Sequence, residues 1–297
     1  MNWIKDLKPI HCLVLLCLLL SGCFRRFQMT EREVRAHYAG RSVKPRFHTL
    51  ETDSTKLFVA SIGADTLPPL LLIHGAPGAW YGYLRMLDDS LLQQRYHILS
   101  IERPGYGKSR KRRRAVTSIN QQAACISQAL SLNCSRKPAV VLGRSYGAPI
   151  AARLATLHPD RVGHLYLVSA AIDPDKEKFF WFSGWGRMPF VKLFLPRSLN
   201  IATAEKYSHA AELRQLLPCW TQLCMPVTVM QGGKDWIIDP GNFDFARRVL
   251  ANTDARFIYL PDAGHVITSS HHDLVEELLL NTADSLYQQS ALSARRP

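Results

Sequence analysis

Acidic residues are scarce in this chain. Its 297 residues hold 24 Asp and Glu against 37 Lys and Arg, a formal charge of +13. It has no internal repeat and no low-complexity tract, which excludes solenoid and fibrous architectures. None of its seven cysteines falls in C-x-x-C spacing, and no histidine follows them at zinc-ligand distance. That pattern speaks against a structural metal. No apolar run approaches the ~20 residues that a helix needs to cross a bilayer. What remains is a chain 47% hydrophobic and 9% aromatic, enough for one large core.

The most informative stretch is Gly143-Arg144-Ser145-Tyr146-Gly147. An apolar, strand-like run, Pro138–Leu142, precedes it, and a helix-like run, Ala148–Leu157, follows. The pattern is strand, sharp turn and helix with a serine at the apex. A nucleophile there must stand clear of the sheet, and the crowded turn demands glycine on both sides. Pro149 fits the first helical turn, where backbone N–H groups are free. Two more strand-like runs end in candidate partners. Val227–Gln231 leads into Gly232-Gly-Lys-Asp235, and Arg256–Leu260 leads into Pro261-Asp-Ala-Gly-His265. Ser145, Asp235 and His265 thus each lie just past the carboxyl end of a strand. In a parallel sheet these ends share one edge, so the side chains can converge. Asp239 is a rival acid, and each of these residues also has a plain reading as a helix cap, turn residue or surface histidine.

Acyl transfer also needs N–H donors for a developing oxyanion. Tyr146, next to the serine, would supply one. The loop after the early strand Pro69–Ile73, His74-Gly-Ala-Pro-Gly78, would supply another through Ala76. With the order Ser, Asp, His and this loop, the chain resembles the α/β-hydrolase superfamily, specifically members with a His-Gly-x-Pro loop. The resemblance spans Arg46 to Leu286. Glu102-Arg-Pro-Gly-Tyr-Gly-Lys-Ser109 looks like that family's Asp-x-x-Gly-x-Gly-x-Ser loop, with Glu for Asp. Arg144 stands where the family often has histidine, a position that orients neighbouring loops. His74 is expected to brace the oxyanion loop and not to act as a base. The resemblance implies an α/β fold: a mostly parallel eight-stranded sheet flanked by helices, with a short helical cap after the sixth strand. It implies no cofactor and no metal.

The amino terminus gives an address. Lys5 and Lys8 precede the apolar run Cys12–Leu20, and Leu20-Ser-Gly-Cys23 follows. This resembles a signal peptide ending in the lipobox of bacterial lipoproteins, which implies acylation of Cys23. The expected destination is the cell envelope, lipid-anchored, at the outer membrane where one exists, since no aspartate follows the cysteine. The expected organisation is signal peptide 1–22, tether 23–45, core 46–171, cap 172–218, core 219–289 and tail 290–297. In an oxidising compartment Cys125, Cys134, Cys219 and Cys224 allow two disulfides in three connectivities. A Cys219–Cys224 bridge is feasible. A helix continuing from Cys125 to Cys134, rising about 1.5 Å per residue, would hold that pair apart.

The cap carries Phe179-Phe-Trp-Phe182, Trp185, Met188, Phe190, Phe194 and Leu195. Most are expected to pack the cap onto the sheet, with a few lining the site. The basic block Arg110–Arg114 reads as a solvated loop or a contact to anionic lipid headgroups; nucleic acid is not an expected partner. The expected activity is hydrolysis of a small carboxylic ester or amide through an acyl-enzyme on Ser145. One alternative is an aminopeptidase of the proline-iminopeptidase type, for which Glu177, Glu205 and Glu212 offer carboxylates to a free amine. Another is an idle hydrolase fold kept as a binding protein. An aspartate nucleophile would have indicated dehalogenase or epoxide hydrolase, and Ser145 opposes both.

Overall fold

A computed structural model of the chain describes residues 29–52, 55–111, 115–181 and 183–293, with side chains as far as residue 288. Among the described residues, eight strands form one sheet. They are β1 (Arg46–Glu51), β2 (Lys56–Ile62), β3 (Pro69–Ile73), β4 (His97–Glu102), β5 (Ala139–Arg144), β6 (Val162–Val168), β7 (Val227–Gly232) and β8 (Ala255–Leu260). Their spatial order is β1-β2-β4-β3-β5-β6-β7-β8. β2 runs antiparallel to both its neighbours, β1 and β4, and β3 to β8 run parallel to one another.

The central strands read as unbroken apolar runs because helices cover both faces. The twofold alternation of a strand sends Leu71, Ile73 and Val141 into one core, beneath helices Ile119–Ile126 and Gly147–Leu157. Leu70, Leu72, Val140 and Leu142 enter the other, which contains Leu92 of helix Ser90–Arg95 and Val275, Leu278 and Leu279 of helix His272–Ser293. Such a sheet presents the ends of β3, β5, β7 and β8 along one edge, where the candidate residues lie.

The segment ahead of β1 is ordered from about Thr30 onward. Helix Glu31–His37 opens with a capping box: Thr30 Oγ1 accepts the Glu33 N–H at 3.2 Å, and Glu33 Oε2 accepts the Thr30 N–H at 2.6 Å. His37 and Arg41 then both reach Asp88, at 2.7 and 3.2 Å. Cys23 and the signal-like run lie outside the described residues, as do Arg112–Arg114 of the basic block. Lys111 pairs with Glu51 at 3.3 Å. No helix among the described residues is long and apolar enough to cross a membrane.

The cap between β6 and β7 holds a 3-10 turn, Ser183–Arg187, and helices Pro189–Phe194 and Arg197–Leu216. Here one expectation fails. Phe179, Trp181, Trp185, Met188 and Phe190 do not pack onto the sheet; they are exposed, Trp181 at 81%, and Leu193 beside them at 79%. The reason is length. A helix of six residues with short irregular flanks cannot bury an apolar set of this size, and its rings pair with each other, Trp181 with Trp185 and Phe190 with Phe194, each at 5.1 Å. The four described cysteines are free thiols. Cys219 is buried, with Sγ 3.5 Å from Arg153 Nη1, whereas Cys224 faces solvent, so no local bridge forms.

Candidate active site

Ser145 occupies the turn between β5 and helix Gly147–Leu157 with φ +56°, a left-handed conformation that a serine adopts only when its surroundings force it. Its N–H donates to Val168 O at 2.9 Å and its carbonyl accepts the Ala148 N–H at 3.0 Å. The flanking glycines are steric necessities. A Cβ on Gly147 would lie 2.4 Å from Ile73 O, and one on Gly143 would lie 2.5 Å from Gly147 O. The helix therefore packs close against both β3 and β5, and the serine is left at the apex.

His265 and Asp235 are brought together as a pair. His265 Nδ1 donates to Asp235 Oδ2 at 2.8 Å. Asp235 Oδ1 accepts the N–H groups of Ile237 and Ile238, each at 2.9 Å. Burial alone would raise the Asp235 pKa, but the His265 hydrogen bond and these two amides outweigh it and hold the carboxyl below its usual value. The acid is thus a fixed, ionised acceptor that orients the ring. Asp239 does something different: its Oδ1 accepts the Gly241 N–H at 2.9 Å, closing the turn into helix Gly241–Val249. Ser169, with φ +46°, donates Oγ–H to the His265 carbonyl at 2.8 Å and steadies the histidine loop.

The loop after β3 lies against the serine. A Cβ on Gly75 would come 3.0 Å from Ser145 Cβ. His74 is fully buried. Its Nε2 accepts the Arg103 N–H at 3.0 Å, so Nδ1 carries the proton and donates to Gly75 O at 2.7 Å. Burial, then the Arg103 charge, push its pKa well below the usual histidine value, so the ring is a neutral brace. Among the described residues no acceptor is paired with the N–H of Ala76 or of Tyr146. Arg144 reaches Thr268 Oγ1 at 3.2 Å and tethers the end of β5 to the segment after His265.

A buried polar cluster beneath this loop escaped the sequence reading. Arg103 and Glu205 are both fully buried and form a two-pronged pair, Nη1–Oε1 at 2.7 Å and Nη2–Oε2 at 3.0 Å. Arg103 Nη2 also donates to Gly75 O at 3.1 Å, and Nη1 to Gln122 Oε1 at 2.7 Å. Tyr106 donates its hydroxyl to Glu205 Oε2 at 2.7 Å. The guanidinium lies 4.8 Å from the Tyr146 ring centre, and that ring stacks on His209 at 4.4 Å. One arginine thereby joins the loop after β3, the serine turn and cap helix Arg197–Leu216. Its only signal in the sequence was its place in the loop after β4.

A cavity of about 900 Å³ lies beside the site, lined by Phe47, Phe58, Trp80, Phe194 and Ile201 and reaching Gly78 and Ala79. None of Ser145, Asp235 and His265 lines it. Asp89, His272 and Glu276 bring three potential metal-ligand atoms within 4.8 Å of one another. Asp89 there is already committed as a helix cap, accepting the Leu91 and Leu92 N–H groups.

Residues 68–194 match the family of the alpha/beta hydrolase fold. Epoxide hydrolase B of Mycobacterium tuberculosis is 33% identical over 95 residues, 32% of this chain and 26% of that protein. The pimeloyl-[acyl-carrier protein] methyl ester esterase of Nitrosomonas europaea is 33% identical over 118 residues, 38% of this chain and 42% of that protein. The matches therefore span well under half of these relatives. Among solved structures, a membrane phospholipase A described as a bacterial virulence factor superposes with a TM-score of 0.65 at 21% identity, covering 94% of this chain and 98% of that one. A 2-hydroxy-6-oxo-6-phenylhexa-2,4-dienoate hydrolase from Rhodococcus gives 0.65 at 16% identity, covering 81% and 99%. At such identities the likeness is one of fold. The chain has the alpha/beta-hydrolase fold.

Proposed function

We propose that this chain is a serine hydrolase that cleaves carboxylic esters through an acyl-enzyme on Ser145. The observation that carries the reading is the His265–Asp235 hydrogen bond of 2.8 Å at the sheet edge where Ser145 sits in its left-handed turn. His265 Nε2 takes the Ser145 proton as Oγ attacks the substrate carbonyl. The oxyanion is held by the Ala76 and Tyr146 amides, and the alcohol leaves with the proton from His265. Water, deprotonated by His265, then attacks the acyl-enzyme and releases the acid. Asp235 keeps the proton on Nδ1 and stabilises the imidazolium.

One observation favours an ester over a free amino-terminal peptide: the three cap carboxylates that would bind an amine are engaged. Glu205 holds Arg103, Glu177 holds His209 and Lys206 at 2.7 Å each, and Glu212 accepts the Ile119 N–H at 2.8 Å. A serine in place of the aspartate nucleophile sets the chain apart from epoxide hydrolysis. From the sequence we further propose that Cys23 is acylated and anchors the domain to an envelope membrane.

A fluorophosphonate probe tests the nucleophile. The wild-type protein should label and turn over p-nitrophenyl esters, and Ser145→Ala should do neither while melting at an unchanged temperature. Full activity in Ser145→Ala overturns the mechanism. Faster cleavage of proline p-nitroanilide than of any ester restores the peptidase reading.

A further inference from the structure

The least expected surface of the molecule is the outer face of the cap. Phe179, Trp181, Trp185, Met188, Phe190 and Leu193 are all exposed within one stretch of chain. Monomeric proteins seldom leave that much large apolar surface contiguous, and where they do it marks something to be covered. The charges around it identify the cover. Residues 178–204 contain Lys178, Arg187, Lys192 and Arg197 and not a single Asp or Glu. The acids that precede it are turned to other partners: Asp175 binds Arg214 at 2.9 Å, and Glu177 binds His209 and Lys206.

Exposed tryptophan and phenylalanine in a stretch of chain with cations and no acid of its own are the features of a segment that rests in the headgroup layer of an anionic bilayer. Of these cations Lys178 is met by an acid, Asp239, at 4.0 Å. A second copy would set Arg187, Lys192 and Arg197 against their own counterparts. The patch also runs to the rim of the site. Phe180 meets Trp236 at a ring separation of 5.8 Å, and Trp236, itself exposed, is the residue after Asp235. We infer that Phe179, Trp181, Trp185, Met188, Phe190 and Leu193 form a membrane-docking surface that enters the interface of a bilayer containing anionic lipid and turns the Ser145 edge toward it. This surface is independent of the amino-terminal cysteine and of the reaction, and it stands or falls separately from both.

Amide hydrogen exchange on the full chain tests it, because the readout is local whatever else holds the protein on a vesicle. With phosphatidylcholine vesicles containing phosphatidylglycerol, amides of 179–194 should exchange at least about tenfold more slowly than in solution. Helix Arg197–Leu216 should be unchanged. Pure phosphatidylcholine, or about 0.5 M salt, should remove most of the protection by removing or screening the anionic attraction. The double variant Trp181→Ser/Leu193→Ser changes two of the most exposed side chains, so its melting temperature should match wild type while its protection is lost. Equal exchange with and without vesicles overturns the proposal, as does full protection in the double variant. Protection that rises with protein concentration in the absence of lipid also overturns it and assigns the face to a second copy of the chain.

Discussion

Replacing Glu205 by glutamine should unsettle this protein more than any single change at its surface. The carboxylate and the Arg103 guanidinium have no solvent exposure at all. Glu205 accepts from Arg103 twice, from Tyr106 and from Gln122 Nε2 at 3.1 Å. Glutamine keeps the shape but turns one acceptor into a donor and leaves Arg103 as a buried, uncompensated cation. Breaking one side of a buried pair costs about 3–5 kcal/mol. For a domain of this size each kcal/mol moves the melting temperature by about 2–4 °C, so the expected fall is on the order of 10 °C. Replacing both partners, Arg103→Met with Glu205→Leu, removes the stranded charge and should cost less than Glu205→Gln alone, although Tyr106 and Gln122 then lose a partner at ~1 kcal/mol or more each. Urea denaturation of the three proteins measures the differences. Limited proteolysis should cut Glu205→Gln first in the cap, because the pair is what ties helix Arg197–Leu216 to the loop after β4. A loss below about 1 kcal/mol in Glu205→Gln, or a double variant less stable than the single, would refute the account of this cluster.

Other outcomes follow from the site and its surroundings. Asp235→Asn should lower kcat by on the order of 10⁴, the scale seen when a serine protease loses its orienting acid, while Asp239→Asn, which only closes a turn, should cost less than about tenfold; the opposite ranking in ester turnover would reassign the acid. His97 is buried on β4 with neither ring nitrogen hydrogen-bonded, and burial, then Arg46, lower its pKa to about 4. Its contribution is fully present above the unfolded value of about 6.5 and is lost as pH falls through the folded value, so wild-type stability should drop on the order of 3 kcal/mol across that window from this group. His97→Leu should flatten the acid limb of a melting-temperature profile, and an unchanged limb would show that other groups govern it. Cys23→Ser should abolish incorporation of labelled fatty acid, and mass spectrometry finding an unmodified Cys23 in the wild-type mature protein would remove the anchor.

The parts of this molecule that could be read from its sequence are those whose physics is local. Pro69–Ile73 and Val227–Gly232 are apolar runs bounded by turn residues, and the crowding that demands Gly143 and Gly147 operates within one turn of chain. Asp235 and His265 could be paired in advance because a parallel sheet brings successive strand ends to one edge. The Thr30–Glu33 capping box is local in the same sense, closing within one helical turn. What stayed hidden depends on distance along the chain. Arg103 and Glu205 are 102 positions apart, and nothing in either neighbourhood names the other. For the same reason Glu205 looked available to a substrate amine when it is spent on the fold. The cap aromatics show the complementary limit: composition states that a segment is apolar, but whether it is covered depends on what the rest of the chain places over it.

The cap is thereby divided into two parts with different ties. Helix Arg197–Leu216 is held from inside by Glu205 on Arg103 and by His209 stacked on Tyr146. Through Arg103 Nη2 on the Gly75 carbonyl and the Arg103 N–H on His74, this half bears directly on the geometry of the loop after β3. The described residues of segment 179–194 are held differently: their rings contact one another, Tyr207 and Trp236, and Asn200 Nδ2 donates to the Lys192 carbonyl at 2.9 Å. The boundary falls at Pro196, whose missing N–H and fixed φ separate helix Pro189–Phe194 from the long helix that follows. Movement of the aromatic segment, on meeting a bilayer or a substrate, therefore costs little buried contact, whereas movement of the long helix would strand a charge. On the proposed mechanism, movement confined to 179–194 leaves the loop after β3, and with it the Ala76 and Tyr146 amides, where they are.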